Sequence, residues 1–199
     1  NDLNELVDLI LKEEEAIQIE FLKSLVNSDS SLKNSIIERF MDTDSPQVSC
    51  IAATTLMNSE DLDLKNKGDQ VFKSYLHSDN KESLLFALRS LPHLQKIDTS
   101  LILSGFLNSE DPEFQVEALR CVNSMNVENL FPHIFELASN NVNQALIFQK
   151  IKDCGSQIET TIDTKIEKAL LDDDKDKLAL LLKFKLETSD IKKCDRFES

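Results

Sequence analysis

Apolar residues recur at three- and four-residue intervals along almost the whole chain, with polar residues filling the positions between them. Leu3, Leu6, Val7, Ile10 and Leu11 share one stripe, which predicts a helix over 3–11. Ile17, Phe21 and Leu25 then stand four residues apart and predict a second. The same period predicts helices over 32–41 (Leu32, Ile36, Ile37, Phe40), 46–57 (Val48, Ala52, Leu56), 63–76 and 81–91. It continues through 101–107, 112–122, 130–138, 142–151, 158–171 and 177–186. Turn and cap signals separate these stretches: Asn27-Ser28-Asp29-Ser30, Asp44-Ser45-Pro46, Asp79-Asn80, Asp98-Thr99-Ser100 and Cys154-Gly155-Ser156. Pro92 ends the helix before it, Gly68 weakens the one around it, and the tail from 188 onward has no period and is expected to fray.

The clearest single helix signal is the stretch 111–122. Asp111 can accept hydrogen bonds from first-turn amides, Pro112 has its φ preset for the first helical position, and Glu113 complements the positive end of the dipole. Phe114, Ala118 and Val122 follow on one face. Anchoring every second helix on its small or apolar centre gives Phe21, Ala52, Ala87, Ala118, Ala145 and Ala179, in steps of 31, 35, 31, 27 and 34 residues. A lone helical hairpin cannot bury its apolar face, so a run of similar hairpins predicts stacking. The expectation is an all-α fold, an α-solenoid of about six antiparallel hairpins, as one domain over 1–190 with a C-terminal tail over 191–199.

Asp111-Pro112-Glu113-Phe114 with Ala118 and Val122, and Asp44-Ser45-Pro46-Gln47-Val48 with Ala52 and Leu56, resemble HEAT repeats. That family's second helix commonly opens Asp-x-Asp-Pro-x-Val-Arg. The resemblance implies a HEAT-like or armadillo-type superhelix. The Arg usual after the Val is missing here, and Gln115 and Ser49 stand in the corresponding places. A stacked Asp–Arg ladder is therefore not expected.

Composition supports the helical reading: only three Gly and four Pro occur in 199 residues, too few for the tight turns of sandwiches and barrels. The formal net charge is −14 at pH 7, and the first twenty residues carry seven acids against Lys12. Such a surface repels nucleic acid and anionic membranes unless bases cluster. The densest basic pair, Lys192-Lys193, is flanked by Asp190 and Asp195. No apolar run approaches the length of a membrane span. Cys50, Cys121, Cys154 and Cys194 have no metal or redox spacing, and Cys50 and Cys121 sit in apolar helical patterns as reduced core thiols do. We therefore expect a cytoplasmic protein. The chain opens on Asn1 and not Met, so a trimmed or processed chain is expected and a removed targeting segment stays open.

Catalytic constellations are not expected. His77, His93 and His133 lie far apart, and no Ser-His-Asp or Cys-His pairing is suggested. Asp172-Asp173-Asp174-Lys175-Asp176 imitates a calcium loop, but Lys177 falls where Gly is needed and Lys183 where the bidentate Glu belongs. The run reads as a charged turn with capping carboxylates. Gly68, Gly105 and Gly155 are isolated and form no phosphate-cradling loop. No metal and no cofactor are expected.

Gln47, Glu82, Glu113 and Asp174 recur at one polar position early in the second helices. In a solenoid those helices line the concave face, so these side chains, with Glu117, would make an acidic strip for a basic or amphipathic protein segment. First-turn acids also complement helix dipoles without any partner. Arg89 and Arg120 occupy matching positions and are candidates either for partner contacts or for pairing with the acids of a neighbouring repeat. The expectation is a non-catalytic scaffold or regulatory module, a monomer on its own, binding protein and neither nucleic acid nor membrane. The resemblance also leaves open an enzyme of the HEAT-like fold, of the DNA-alkylation glycosylase or bilin-lyase type, or a structural segment of a longer solenoid.

Overall fold

A computed structural model describes residues 2–26, 32–94 and 97–189, with the side chains of residues 4 onward. The expected turn at 27–30, the tail beyond 189 and Cys194 lie outside the described residues. The fold is all-α. Among the described residues there is no strand, and the chain forms two compact units, Asn1–Ile97 and Asp98–Ser199.

The first unit contains α1 (Asp2–Ile10), α2 (Glu15–Val26), α3 (Lys33–Arg39), α4 (Pro46–Leu56), α5 (Leu62–Leu76) and α6 (Lys81–Ser90), with single 3-10 turns after α3 and α6. Its centre is α4. Val48, Ala52 and Leu56, the expected stripe, are fully buried, and so are Cys50 and Ala53 between them. The helix can be buried on nearly every side because its residues are small, and α2, α3, α5 and α6 all pack against it. Its two buried hydroxyls are satisfied locally: Ser49 donates to the Met41 carbonyl at 2.6 Å and Thr54 to the Cys50 carbonyl at 3.0 Å. Gly68 is buried in α5, where a Cβ would meet the Ala53 carbonyl oxygen of α4 at 2.5 Å. The glycine that weakens the helix signal therefore permits a close helix–helix approach.

The second unit contains α7 (Ser100–Leu107), α8 (Pro112–Arg120), α9 (Val127–Ser139), α10 (Gln144–Asp153), α11 (Gly155–Leu171) and α12 (Lys175–Ser189). Its core joins Leu130, Phe131 and Ile134 of α9, Ile147 and Ile151 of α10, Ile158 and Ile162 of α11, and Leu181 and Phe184 of α12. Phe131, Phe135 and Phe148 surround the Phe184 ring at centroid distances of 5.9, 6.2 and 5.3 Å in edge-on arrangements. Helix α9 begins three residues before the expected start, and Pro132 lies inside it. Pro132 and Glu128 are both exposed, so the helix side on which Pro132 leaves a carbonyl unpaired is a solvent-facing one.

Two helix ends use left-handed residues other than glycine. Asn141 (φ 59°) and Asp173 (φ 52°) follow α9 and α11, and the next amides, of Val142 and Asp174, reach back to the Leu137 and Ala169 carbonyls at 2.9 and 3.0 Å. This is the Schellman closure with Asn or Asp at the position glycine usually takes. The acidic run at 172–176 is accordingly an interhelical turn.

Within the first unit α4 packs against α2 on one side and α6 on the other. Within the second, α10 packs against both α8 and α12, while α9 packs against both α7 and α11.

Candidate functional site

A recurrent turn positions the polar residues at the start of several helices. Asn58-Ser59-Glu60-Asp61 precedes α5 and the same tetrapeptide, Asn108-Ser109-Glu110-Asp111, precedes α8; Ser78-Asp79-Asn80 precedes α6. In all three the Ser hydroxyl oxygen accepts from the amide two residues on, at 3.1 Å. The Asp or Asn oxygen then accepts from the second amide of the helix, at 2.9 Å in α5 and α8 and 2.8 Å in α6. The carboxamide or carboxylate is the N-cap in each case, so the residue after the first helical position is held in a fixed place. That residue is Glu82 in α6 and Glu113 in α8, and both are exposed. In α4 the N-cap is Ser45, whose hydroxyl accepts from Val48 N–H at 3.3 Å and donates to Glu15 Oε2 at 2.5 Å, and Gln47 occupies the same place, half-buried.

Gln47 and Glu82 therefore sit at equivalent positions of two helices that pack side by side, with Arg89 exposed in the last turn of α6. Glu113, Glu117 and Arg120 belong to α8, in the second unit. Two expectations need correction. Asp174 is not in the position of Glu82 and Glu113; it caps α12, with Oδ1 accepting from Lys177 N–H at 3.0 Å. Glu117 is not an open carboxylate, because only 7 % of it is exposed, and it accepts from Arg120 Nη1 at 2.8 Å. That ion pair is formed within α8, three residues apart, and not between neighbouring repeats.

The described thiols are buried. Burial pushes Cys50 up to about 11, against which a 3.1 Å contact with Ser90 Oγ acts weakly, and burial with Glu117 nearby pushes Cys121 up to about 12. Cys154 is raised by burial as well. Protonated thiols of this kind are packing groups and poor nucleophiles. The Nδ1 of His77 meets the Lys73 carbonyl one turn back, and that of His133 meets Asn108 Oδ1 of an earlier turn, each at 2.9 Å. Burial, then the Lys23 charge, lowers the pKa of His93 and favours its neutral form.

Two clefts were missed from the sequence. One in the first unit, of about 480 Å³, is lined by Asn34, Asn58, Glu60, Asp61 and His93 among others. One in the second, of about 400 Å³, includes Asn108, Gln115, His133, Glu136 and Asn140. Both are built beside the repeated Asn-Ser-Glu-Asp turn, and that identical tetrapeptide was the available signal. Asn58 Nδ2 donates to the His93 carbonyl at 2.6 Å, and Asn108 Oδ1 meets His133, so each first asparagine ties the turn to a later segment. These linings offer hydrogen-bond donors and acceptors of both kinds. Among the described residues, no group of three or more His, Cys, Asp and Glu could hold a metal ion, and no helix is long and apolar enough to cross a membrane. Comparison with protein-family models, curated proteins and solved structures finds no match to this chain.

Proposed function

We propose that this chain is a non-catalytic helical-repeat module of the HEAT-like type, which holds a protein partner along its second helices. The observation that carries the reading is the equivalence of Gln47, Glu82 and Glu113. Each is the second residue of a second helix, behind an N-cap of Ser45, Asn80 or Asp111. The side-by-side order of α2, α4 and α6, and of α8, α10 and α12, is the packing a stack of hairpins adopts. Gln47 and Glu82 hold this place on adjacent packed helices of the first unit, and Glu113 holds it in the second. With a net charge of −14, the occupant that fits these positions is a basic or amphipathic protein segment.

The test is a pull-down from source lysate with the whole chain, with and without nuclease, read by mass spectrometry. A stoichiometric protein that survives nuclease and is lost on Glu82→Lys with Glu113→Lys is the expected result. Capture that survives both substitutions moves the site elsewhere. Capture that disappears with nuclease, or no capture, overturns the reading.

A further inference from the structure

A third cleft, of about 550 Å³, lies in the first unit, where the turn between α1 and α2 meets the loop that leads into α4. Its wall contains one buried polar group that the fold leaves unfinished. Gln18 of α2 is only 7 % exposed, and its Nε2 donates to the Leu11 and Glu13 carbonyls at 3.3 and 2.8 Å. All three residues line the cleft. Those two bonds fix the amide, because flipping it would set Oε1 against two carbonyl oxygens. Oε1 is thus held as an acceptor, buried and with no hydrogen-bond partner, which is a costly state until a donor reaches it.

The cleft around Gln18 is acidic. Glu13, Glu15, Asp42 and Asp44 line it, with Arg39 as the one base among the lining residues. Arg39 is already paired with Asp8, and Glu15 accepts from Ser45 Oγ at 2.5 Å. Glu13, Asp42 and Asp44 are exposed. Acids ahead of a helix start complement its dipole with no ligand, but a dipole gives the Gln18 oxygen no donor. The combination calls for a cation that also donates hydrogen bonds. Among the described residues no group of three or more His, Cys, Asp and Glu could hold a metal ion. A guanidinium fits instead: its planar fork aims donors in several directions, enough for one amide oxygen and the carboxylates beside it. Leu11, half-buried, offers an apolar wall for the aliphatic stem.

We propose that this cleft takes the guanidinium of an arginine side chain presented by a protein partner. The arginine donates to Gln18 Oε1 and pairs with the exposed carboxylates of Asp42 and Asp44. This rests on the reading of a basic partner segment and deepens it, by naming the side chain that the segment carries. Ser45 both lines the cleft and caps α4, so the cleft opens two residues before Gln47 along the chain.

Titration of the whole chain with Nα-acetyl-arginine N-methylamide, followed by NMR at the Gln18 side-chain amide, tests it. The expected result is a saturable shift of that amide at millimolar probe, weakened by added salt because the carboxylates are exposed. The uncharged citrulline analogue and the lysine analogue should each bind at least about tenfold more weakly, the first for want of charge and the second for want of the fork. Asp42→Asn with Asp44→Asn changes exposed side chains only, so the urea midpoint should hold while the affinity for the probe falls at least about tenfold. No saturable shift, equal binding of either analogue, or an unchanged affinity in the double variant overturns the proposal. Free arginine that binds at least about tenfold tighter than the capped form overturns a partner's side chain as the source. A silent titration beside a successful pull-down refutes the cleft alone, whereas an empty pull-down beside a saturable titration refutes the protein partner and keeps the guanidinium site.

Discussion

Two glycines inside helices, Gly68 in α5 and Gly105 in α7, should respond in opposite directions to the same substitution. Alanine is favoured over glycine in a helix interior by about 1 kcal/mol, and neither glycine has a positive φ that an added Cβ would strain. At Gly105 a Cβ meets nothing within 4 Å, so Gly105→Ala should stabilise by about 0.5–1 kcal/mol. At Gly68 the Cβ would sit 2.5 Å from the Ala53 carbonyl oxygen and 3.2 Å from Met57 N. Both are backbone atoms of α4 or its cap, and the Ala53 carbonyl already accepts from Met57 N–H at 3.0 Å. The obstacle therefore cannot turn aside as a flexible side chain would. Relief requires α4 and α5 to part, and α4 is the buried centre of its unit. Overpacking of this kind costs about 2–3 kcal/mol. After the propensity gain, Gly68→Ala should destabilise by about 1–2 kcal/mol. For a unit near a hundred residues that is a fall of roughly 4–8 °C in Tm for each kcal/mol. The chain has one Tyr and no Trp, and Tyr75 lies half-buried in α5 itself. Urea unfolding followed by tyrosine fluorescence thus reports the first unit alone, while far-UV ellipticity reports both. If Gly68→Ala left the fluorescence transition in place or moved it to higher urea, the close α4–α5 crossing would be refuted.

Two further outcomes are expected. Arg120→Ala should destabilise by about 1 kcal/mol or somewhat more, since it strips a charged partner from the buried Glu117 carboxylate, whereas the isosteric Glu117→Gln should cost less; equal and negligible changes in urea midpoint would make the pair a surface contact. Stability should fall as pH rises above the ordinary thiol value of 9.0 toward the raised values of Cys50 and Cys121, about 11 and 12, because in that window the folded chain holds protons that the unfolded chain has lost. The slope should flatten in Cys50→Ala, and a wild-type profile flat through that window would contradict the buried-thiol assignment.

Much of the helical architecture was legible because burial follows apolar spacing. Val48, Ala52 and Leu56 were expected on one face and are all fully buried, and Ala118 and Val122 are buried beside a half-buried Phe114. Where spacing misled, the cause lay in groups with two possible uses. Gly68 read as a weak point because sequence shows its lost propensity and not the α4 backbone it admits. The expected start at 130 would put Pro132 in a first turn, where proline is most at home, whereas α9 begins at Val127 and carries it on an exposed side of the helix interior. Asn141 and Asp173 close their helices in left-handed conformations that a search for glycine overlooks.

The polar positions were less legible, for a related reason. Glu113 and Glu117 are four residues apart on one helix and have the same chemistry, and Arg120 is spaced to pair with Glu117 as on any solvated face. Spacing alone makes both acids surface groups. The difference lies along α8, which packs against α7 and α10: Glu113 sits exposed in the first turn, its amide bonded to the Asp111 cap, while Glu117 lies one turn further in and is buried. Asp174 shows the converse, since an acid at a turn can be the cap itself or the residue two places behind it, and only the amide that bonds to it decides. The recurring acid of the second helices is thus set by the cap that precedes it. Whatever contacts Gln47 and Glu82 in the first unit, or Glu113 in the second, would depend on the N-caps Ser45, Asn80 and Asp111 as well, because loss of a cap releases the first turn that presents the side chain.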